Sequence, residues 1–185
     1  MLFNSLEFIL FFLIVFILYW FVLHKKLKHQ NLLLLASSYL FYGWWDWRFL
    51  SLIIISSVVD YYLGIKIFQS NNDKIRKRLL FISLAVNLGF LGFFKYCNFF
   101  IDSFVNLLAQ FNFNIDTYTL NIILPVGMSF YTFQTLSYSI DIYKRKMEPT
   151  RDVISFFTFV AFFPQLVAGP IERAKNLLPQ FSKKR

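Results

Sequence analysis

Few side chains in the 185-residue sequence could do chemistry, and they fall into small groups. Asp60 interrupts an apolar run over 49–68, and Asn87 interrupts another that begins at Leu79. A charge inside such a run is costly, so it pairs or lines a functional cavity. Asp60 lies eight residues before Phe68 and Asn87 eight residues after Leu79, so the two are expected at similar depth. Two readings stay open there, a hydrogen bond holding two helices together or a tunnel or proton role. Tyr131, Gln134, Ser137, Tyr138 and Asp141 recur at i+3 and i+4 and share one helical face. Such a stripe either packs on other helices or walls a channel for a polar substrate. His24 and His29 sit among lysines with no carboxylate nearby. A general base needs an orienting partner and shelter, so both read as solvated. Cys97 is the one cysteine, which excludes an internal disulfide and a cysteine metal cluster. It has no flanking histidine to support a nucleophile, and no metal site is expected. Neither a nucleophile elbow nor a Gly-rich phosphate loop is present.

The elements that position these groups are membrane-like. The chain is 57% hydrophobic and only 16% charged, with 26 phenylalanines. A soluble domain runs nearer a quarter charged. Lipid lets apolar side chains face outward, which a soluble fold of this size could not do. The net charge of +9 would suit nucleic acid, but eleven of the 19 Lys and Arg fall in 24–30, 69–78 and 144–151, each beside an apolar run. That is the pattern of cytoplasmic loops, and no nucleic-acid partner is expected.

Phe8 to Leu23 is apolar and, with its neighbours, approaches the ~20 residues of a spanning helix. Glu7 precedes it and a basic loop follows, the reverse of a signal peptide. Residues 31–43 and 49–68 read as a helical hairpin that turns at Trp44-Trp45-Asp46-Trp47-Arg48. Leu79 to Phe94 crosses outward, Phe99 to Leu108 reads as an interfacial helix, and Leu124 to Tyr143 crosses back. Val153 to Ile171 contains Pro164, Gly169 and Pro170, so it is expected to be broken and either re-entrant or buried. All three basic clusters then fall on one side, and Cys97 near the other.

Two motifs carry a specific resemblance. One runs Ile123-Leu124-Pro125-Val126-Gly127-Met128-Ser129-Phe130-Tyr131-Thr132-Phe133-Gln134 and on through Leu136-Ser137-Tyr138-Ser139-Ile140-Asp141-Ile142-Tyr143. The other is Phe162-Phe163-Pro164-Gln165-Leu166-Val167-Ala168-Gly169-Pro170-Ile171. Together they resemble the membrane-bound O-acyltransferase family, in its bacterial alginate O-acetyltransferase branch. Tyr39-Leu40-Phe41-Tyr42-Gly43-Trp44-Trp45 and the Asp60-Tyr61 pair with Gly64 are similar to that branch too.

The resemblance implies an all-α, polytopic transmembrane bundle with about five to six membrane segments, residues 1–185 being the N-terminal portion of the family domain. It implies a multi-pass protein of the cytoplasmic (inner) membrane, with the lipid bilayer and a periplasmic or extracellular acyl-accepting protein as partners. No bound cofactor is implied. Acetyl-coenzyme A is the expected donor, and an exported or cell-envelope polysaccharide such as alginate or peptidoglycan the acceptor. Gln134, Asp141, Gln165 and Arg173 are the expected tunnel-lining residues, while Pro125, Gly127, Pro164, Gly169 and Pro170 set the backbone. The family's essential histidine lies in a later Trp-His-Gly motif, which this sequence does not contain, so no catalytic residue is carried over. The alternatives are a non-catalytic membrane remnant or assembly subunit, a D-alanyl transfer protein of the teichoic acid type, and a transporter or channel.

Overall fold

A computed structural model describes residues 3–110, 125–166, 169–170 and 172–183, apart from the side chain of Ala109. Among the described residues the fold is all-helical. Ile123, Leu124, Val167, Ala168 and Ile171, which belong to the two motifs, lie outside the described residues.

Helix α1 (Leu6–Ile17) starts at Ser5, whose hydroxyl accepts from the Phe8 N–H. It widens into a π turn over Leu18–Val22, and the Tyr19 carbonyl accepts from Gln30 Nε2 at 3.1 Å. α2 (Leu27–Asp46) and α3 (Leu50–Gln69) are joined by a 3-10 turn at Trp47–Phe49. Asp46 leaves helical geometry there and caps the turn through the Arg48 N–H. Hydrogen bonds from the Arg48 side chain hold the Asp46 carboxyl below the usual carboxylate range. The tryptophan turn expected from the sequence is therefore present.

α4 (Asp73–Gln110) is a single helix of 38 residues. At 1.5 Å per residue it is about 57 Å long, well beyond the ~30 Å of a bilayer core. The separate interfacial helix expected over Phe99–Leu108 is instead the continuation of α4. Neither Gly89 nor Gly92 breaks it, because a lone glycine only lowers helix propensity. α5 (Met128–Tyr143), α6 (Val153–Ala161), the single turns α7 (Phe163–Leu166) and α8 (Ala174–Leu177), and a 3-10 turn at Leu178–Phe181 complete the chain.

Contacts fix the helix directions. Phe11 stacks near Phe41 while Tyr19 meets Gln30, so α1 and α2 are antiparallel. Asn31 bonds Ser155 and Ser38 bonds Phe163, so α2 runs parallel to α6. Asp60 meets Ser83 and Ser139, Ser56 meets Asn87, and Thr135 also meets Asn87. α3 and α5 are therefore parallel, with α4 antiparallel to both. The directions bring residues 24–30, 69–78 and 144–151 to the same end of the bundle, with Glu7, Asp46 and Asp102 toward the other. At the basic end Arg76 donates to the Tyr143 carbonyl at the C-terminus of α5 and lies over the Tyr143 ring. A cation there complements the negative end of the helix dipole.

Two helices are long and apolar enough to cross a membrane, Leu27–Gln69 taken through its turn and Asp73–Leu108. Their outer faces, and that of α1, expose large apolar side chains such as Ile14, Phe81 and Phe100. The buried core lies where α2, α3, α5 and α6 meet, around Ile53, Tyr138, Ile142, Phe156 and Phe159.

Candidate functional site

The first polar centre forms where α3, α4 and α5 converge. Asp60 Oδ1 accepts from Ser83 Oγ at 2.5 Å and from Ser139 Oγ at 3.4 Å, and Oδ2 accepts from Asn87 Nδ2 at 2.7 Å. Asn87 Oδ1 accepts from Ser56 Oγ at 2.6 Å and Thr135 Oγ1 at 3.1 Å. All six side chains are buried. No basic side chain pairs with Asp60 among the described residues. Neutral donors thus surround the carboxyl, and the depth match between Asp60 and Asn87 becomes a direct bond.

Each helix contributes its polar groups four residues apart: Ser56 with Asp60, Ser83 with Asn87, and Thr135 with Ser139. That spacing puts each pair on one face. The sequence reading found Asp60 and Asn87 but missed the hydroxyls, although the repeated i,i+4 spacing was available as a signal.

The second centre is built by the two motifs. Gly127 begins α5 with φ 78°, a left-handed conformation that favours glycine. A Cβ there would lie 2.6 Å from the Leu166 carbonyl oxygen, so the backbones meet only because no side chain intervenes. Seven residues further on, Gln134 Nε2 donates to Gln165 Oε1 at 3.0 Å.

The break in α6–α7 explains how Gln165 arrives there. Phe162 leaves helical geometry, and Pro164 falls in the first turn of α7, where its missing N–H costs nothing. The Phe163 N–H freed by the break donates to Ser38 Oγ on α2 at 3.2 Å. Within a bilayer such broken backbone needs a protein partner, and Ser38 supplies one.

The chain then returns toward its point of entry. The Ala174 N–H donates to Ser137 Oγ at 3.4 Å, and Asn31 Nδ2 donates both to Ser155 Oγ, 3.2 Å, and to the Phe181 carbonyl, 2.7 Å. Asn31 therefore clasps the two limbs of a loop that enters and leaves at the basic end. The stretch is broken as expected, and most of its described residues are buried.

Asp141 and Arg173 share a cleft of about 410 Å³ with Phe133, Leu136, Ser137, Ile140, Lys144 and Lys146. Of the four expected lining residues, Gln134 bonds Gln165, while Asp141, about two turns further along α5, lines one cleft with Arg173. Tyr131, Gln134, Tyr138 and Asp141 are buried, and Ser137 is half-buried. His24 and His29 are exposed at the basic end, as expected. Cys97 is partly buried on α4.

The chain is 38% identical, over its whole length, to the probable alginate O-acetylase of Pseudomonas putida, covering 38% of that protein. It is 39% identical over 98% of its length to the probable alginate O-acetylase of Pseudomonas aeruginosa, of which it covers 35%. The chain is thus a homologue of these curated O-acetylases over essentially its whole length. The peptidoglycan O-acetyltransferase of Helicobacter pylori is similar too, at 36% identity over the whole chain and 39% of its own length. The chain thus spans a little over a third of the length of these curated relatives. No family model matches it, and no solved structure does.

Proposed function

We propose that the chain forms part of an O-acetyltransferase that modifies an exported or cell-envelope polysaccharide such as alginate or peptidoglycan. The observation that carries this reading is identity to named O-acetylases along the entire chain, with both motifs brought together at Gly127 and Leu166. In this reading the protein is multi-pass in the cytoplasmic membrane, with about five to six segments and its basic end in the cytoplasm. The arginine and lysine clusters at one end of the bundle support that orientation. Acetyl-coenzyme A is the donor, and an acyl-accepting protein outside the membrane is the partner. Gln134 and Gln165, with Asp141 and Arg173 nearer the basic end, shape the path followed by the acyl group.

Neither histidine of the described residues is placed as a proton acceptor. Both histidines are exposed, while acyl transfer to a hydroxyl requires a sheltered base. This same observation favours a second reading, in which the chain is a non-catalytic assembly subunit. Labelled acetyl-coenzyme A separates the two. Membranes bearing the chain together with the Trp-His-containing portion of a relative should transfer label to polysaccharide, and the chain alone should not. Equal labelling with and without the chain would overturn the enzymatic reading.

A further inference from the structure

The cleft at the basic end of α5 has three kinds of wall, and their order along the helix is informative. Lys144 and Lys146 stand at its mouth, and Arg173 faces α5 from the returning limb. Deeper, Phe133 and Ile140 form an apolar wall, with Phe133 46% exposed. From Lys144 to Phe133 the helix rises about 16 Å, the scale of one bilayer leaflet. Between them lies Asp141, only 6% exposed, whose Oδ2 has no hydrogen-bond partner among the described residues.

Three cations call for an anion, and their planar or ammonium donors suit phosphate oxygens. A bare phosphate, however, would face the Asp141 carboxyl unfavourably. The buried oxygen requires a hydrogen-bond donor on the same ligand, because a buried acceptor left unmatched is costly. The apolar wall requires a hydrocarbon portion lying parallel to α5. A phosphate head outermost, a donor group beside it and an apolar tail pointing inward is the build of a membrane lipid in its own leaflet.

We propose that this cleft holds one phospholipid whose head carries a hydroxyl or an ammonium beside its phosphate. The phosphate bonds Lys144, Lys146 and Arg173, the head hydroxyl or ammonium donates to Asp141, and an acyl chain covers Phe133 and Ile140. The inference uses the membrane orientation of the preceding section but not the acyl transfer, so either can fail alone. A trimethylated head has no hydrogen to donate, so phosphatidylcholine is a poor occupant. A soluble phosphate ester leaves the apolar wall uncovered.

Native mass spectrometry of the full chain in detergent micelles tests this with phosphatidylglycerol, phosphatidylethanolamine and phosphatidylcholine of identical acyl chains. The first two should be retained and the third scarcely so. A cation near anionic lipid is worth about fivefold in affinity, so the combined Lys144→Gln, Lys146→Gln and Arg173→Gln variant should lose about a hundredfold. Asp141→Asn, nearly isosteric, should keep its melting profile while losing the preference over phosphatidylcholine. Equal retention of all three lipids by the unaltered protein, or retention undiminished in the triple variant, overturns the proposal. Displacement of bound lipid by acetyl-coenzyme A would assign the cleft to a soluble donor and also overturns it.

Discussion

Replacing Asp60 with alanine removes the acceptor on which Ser83, Asn87 and Ser139 converge. Interhelical hydrogen bonds inside membranes are worth about 0.6 kcal/mol each, so three of them amount to about 2 kcal/mol. The loss is limited because Ser83 keeps Ser139 as a partner at 3.0 Å and Asn87 Nδ2 keeps the Ser83 carbonyl at 2.9 Å. For a chain of this size about 2 kcal/mol lowers the melting temperature by roughly 4–8 °C. Asp60→Asn should cost less. Its amide nitrogen would confront Asn87 Nδ2, but Asn87 can rotate its amide because Ser56 and Thr135 hydroxyls accept as well as donate. About one bond is then lost, or roughly 1–2 °C. Thermal unfolding of the three proteins in one detergent, followed by tryptophan fluorescence, measures both values. An alanine variant that melts with the unaltered protein would refute the stabilising role. An asparagine variant that melts with the alanine variant would mean that the carboxylate itself matters, not its bonds.

Gly127→Ala combines a left-handed backbone, costing about 1–2 kcal/mol, with a Cβ against the Leu166 carbonyl, and should lower the same melting temperature more than Asp60→Asn does. Gly89→Ala meets nothing within 4 Å, and its helix-propensity gain of about 1 kcal/mol should raise the melting temperature by roughly 2–4 °C. Asn31→Ala releases both limbs of the clasped loop, so trypsin should cut faster at Arg173 and Lys175; an unchanged digestion rate would deny the clasp. Cys97 lies 24 residues along α4 from Asp73, about 36 Å, which places it beyond a bilayer core entered at the basic end. An impermeant maleimide should therefore label it in intact cells, whereas labelling only after permeabilisation would invert the orientation.

The helix directions were legible because charge is patterned at the scale of whole segments. Three basic clusters separated by apolar runs leave few arrangements that share one end. The Asp60–Asn87 bond was legible for a related reason, since each residue could be counted from the same basic end. Ser83 and Thr135 were not, because a lone hydroxyl in an apolar helix is satisfied as easily by its own carbonyl as by a neighbour. The later half of α4 was misjudged, because Phe99 to Leu108 was read as an element separate from the run ending at Phe94. Nothing at 94–98 actually breaks a helix. The Gln134–Gln165 pair required knowing that the helix breaks at Phe162, and Pro164 alone marks only that a break occurs nearby.

The gathering of cations at one end also has an electrical consequence. With that end in the cytoplasm, carrying one elementary charge outward against a membrane potential of ~100 mV costs about 2.3 kcal/mol. Lys25 and Lys26 lie in the connection before α2 and Lys28 in the first turn of α2, so moving these three charges to the outer face costs about 7 kcal/mol, a bias of roughly a hundred-thousand-fold. The same connection joins α1 to α2, which emerge during synthesis before α3, α4 and α5. An energised membrane therefore acts as a ratchet on the newborn chain, locking its orientation before the Asp60 network exists to hold the later helices together.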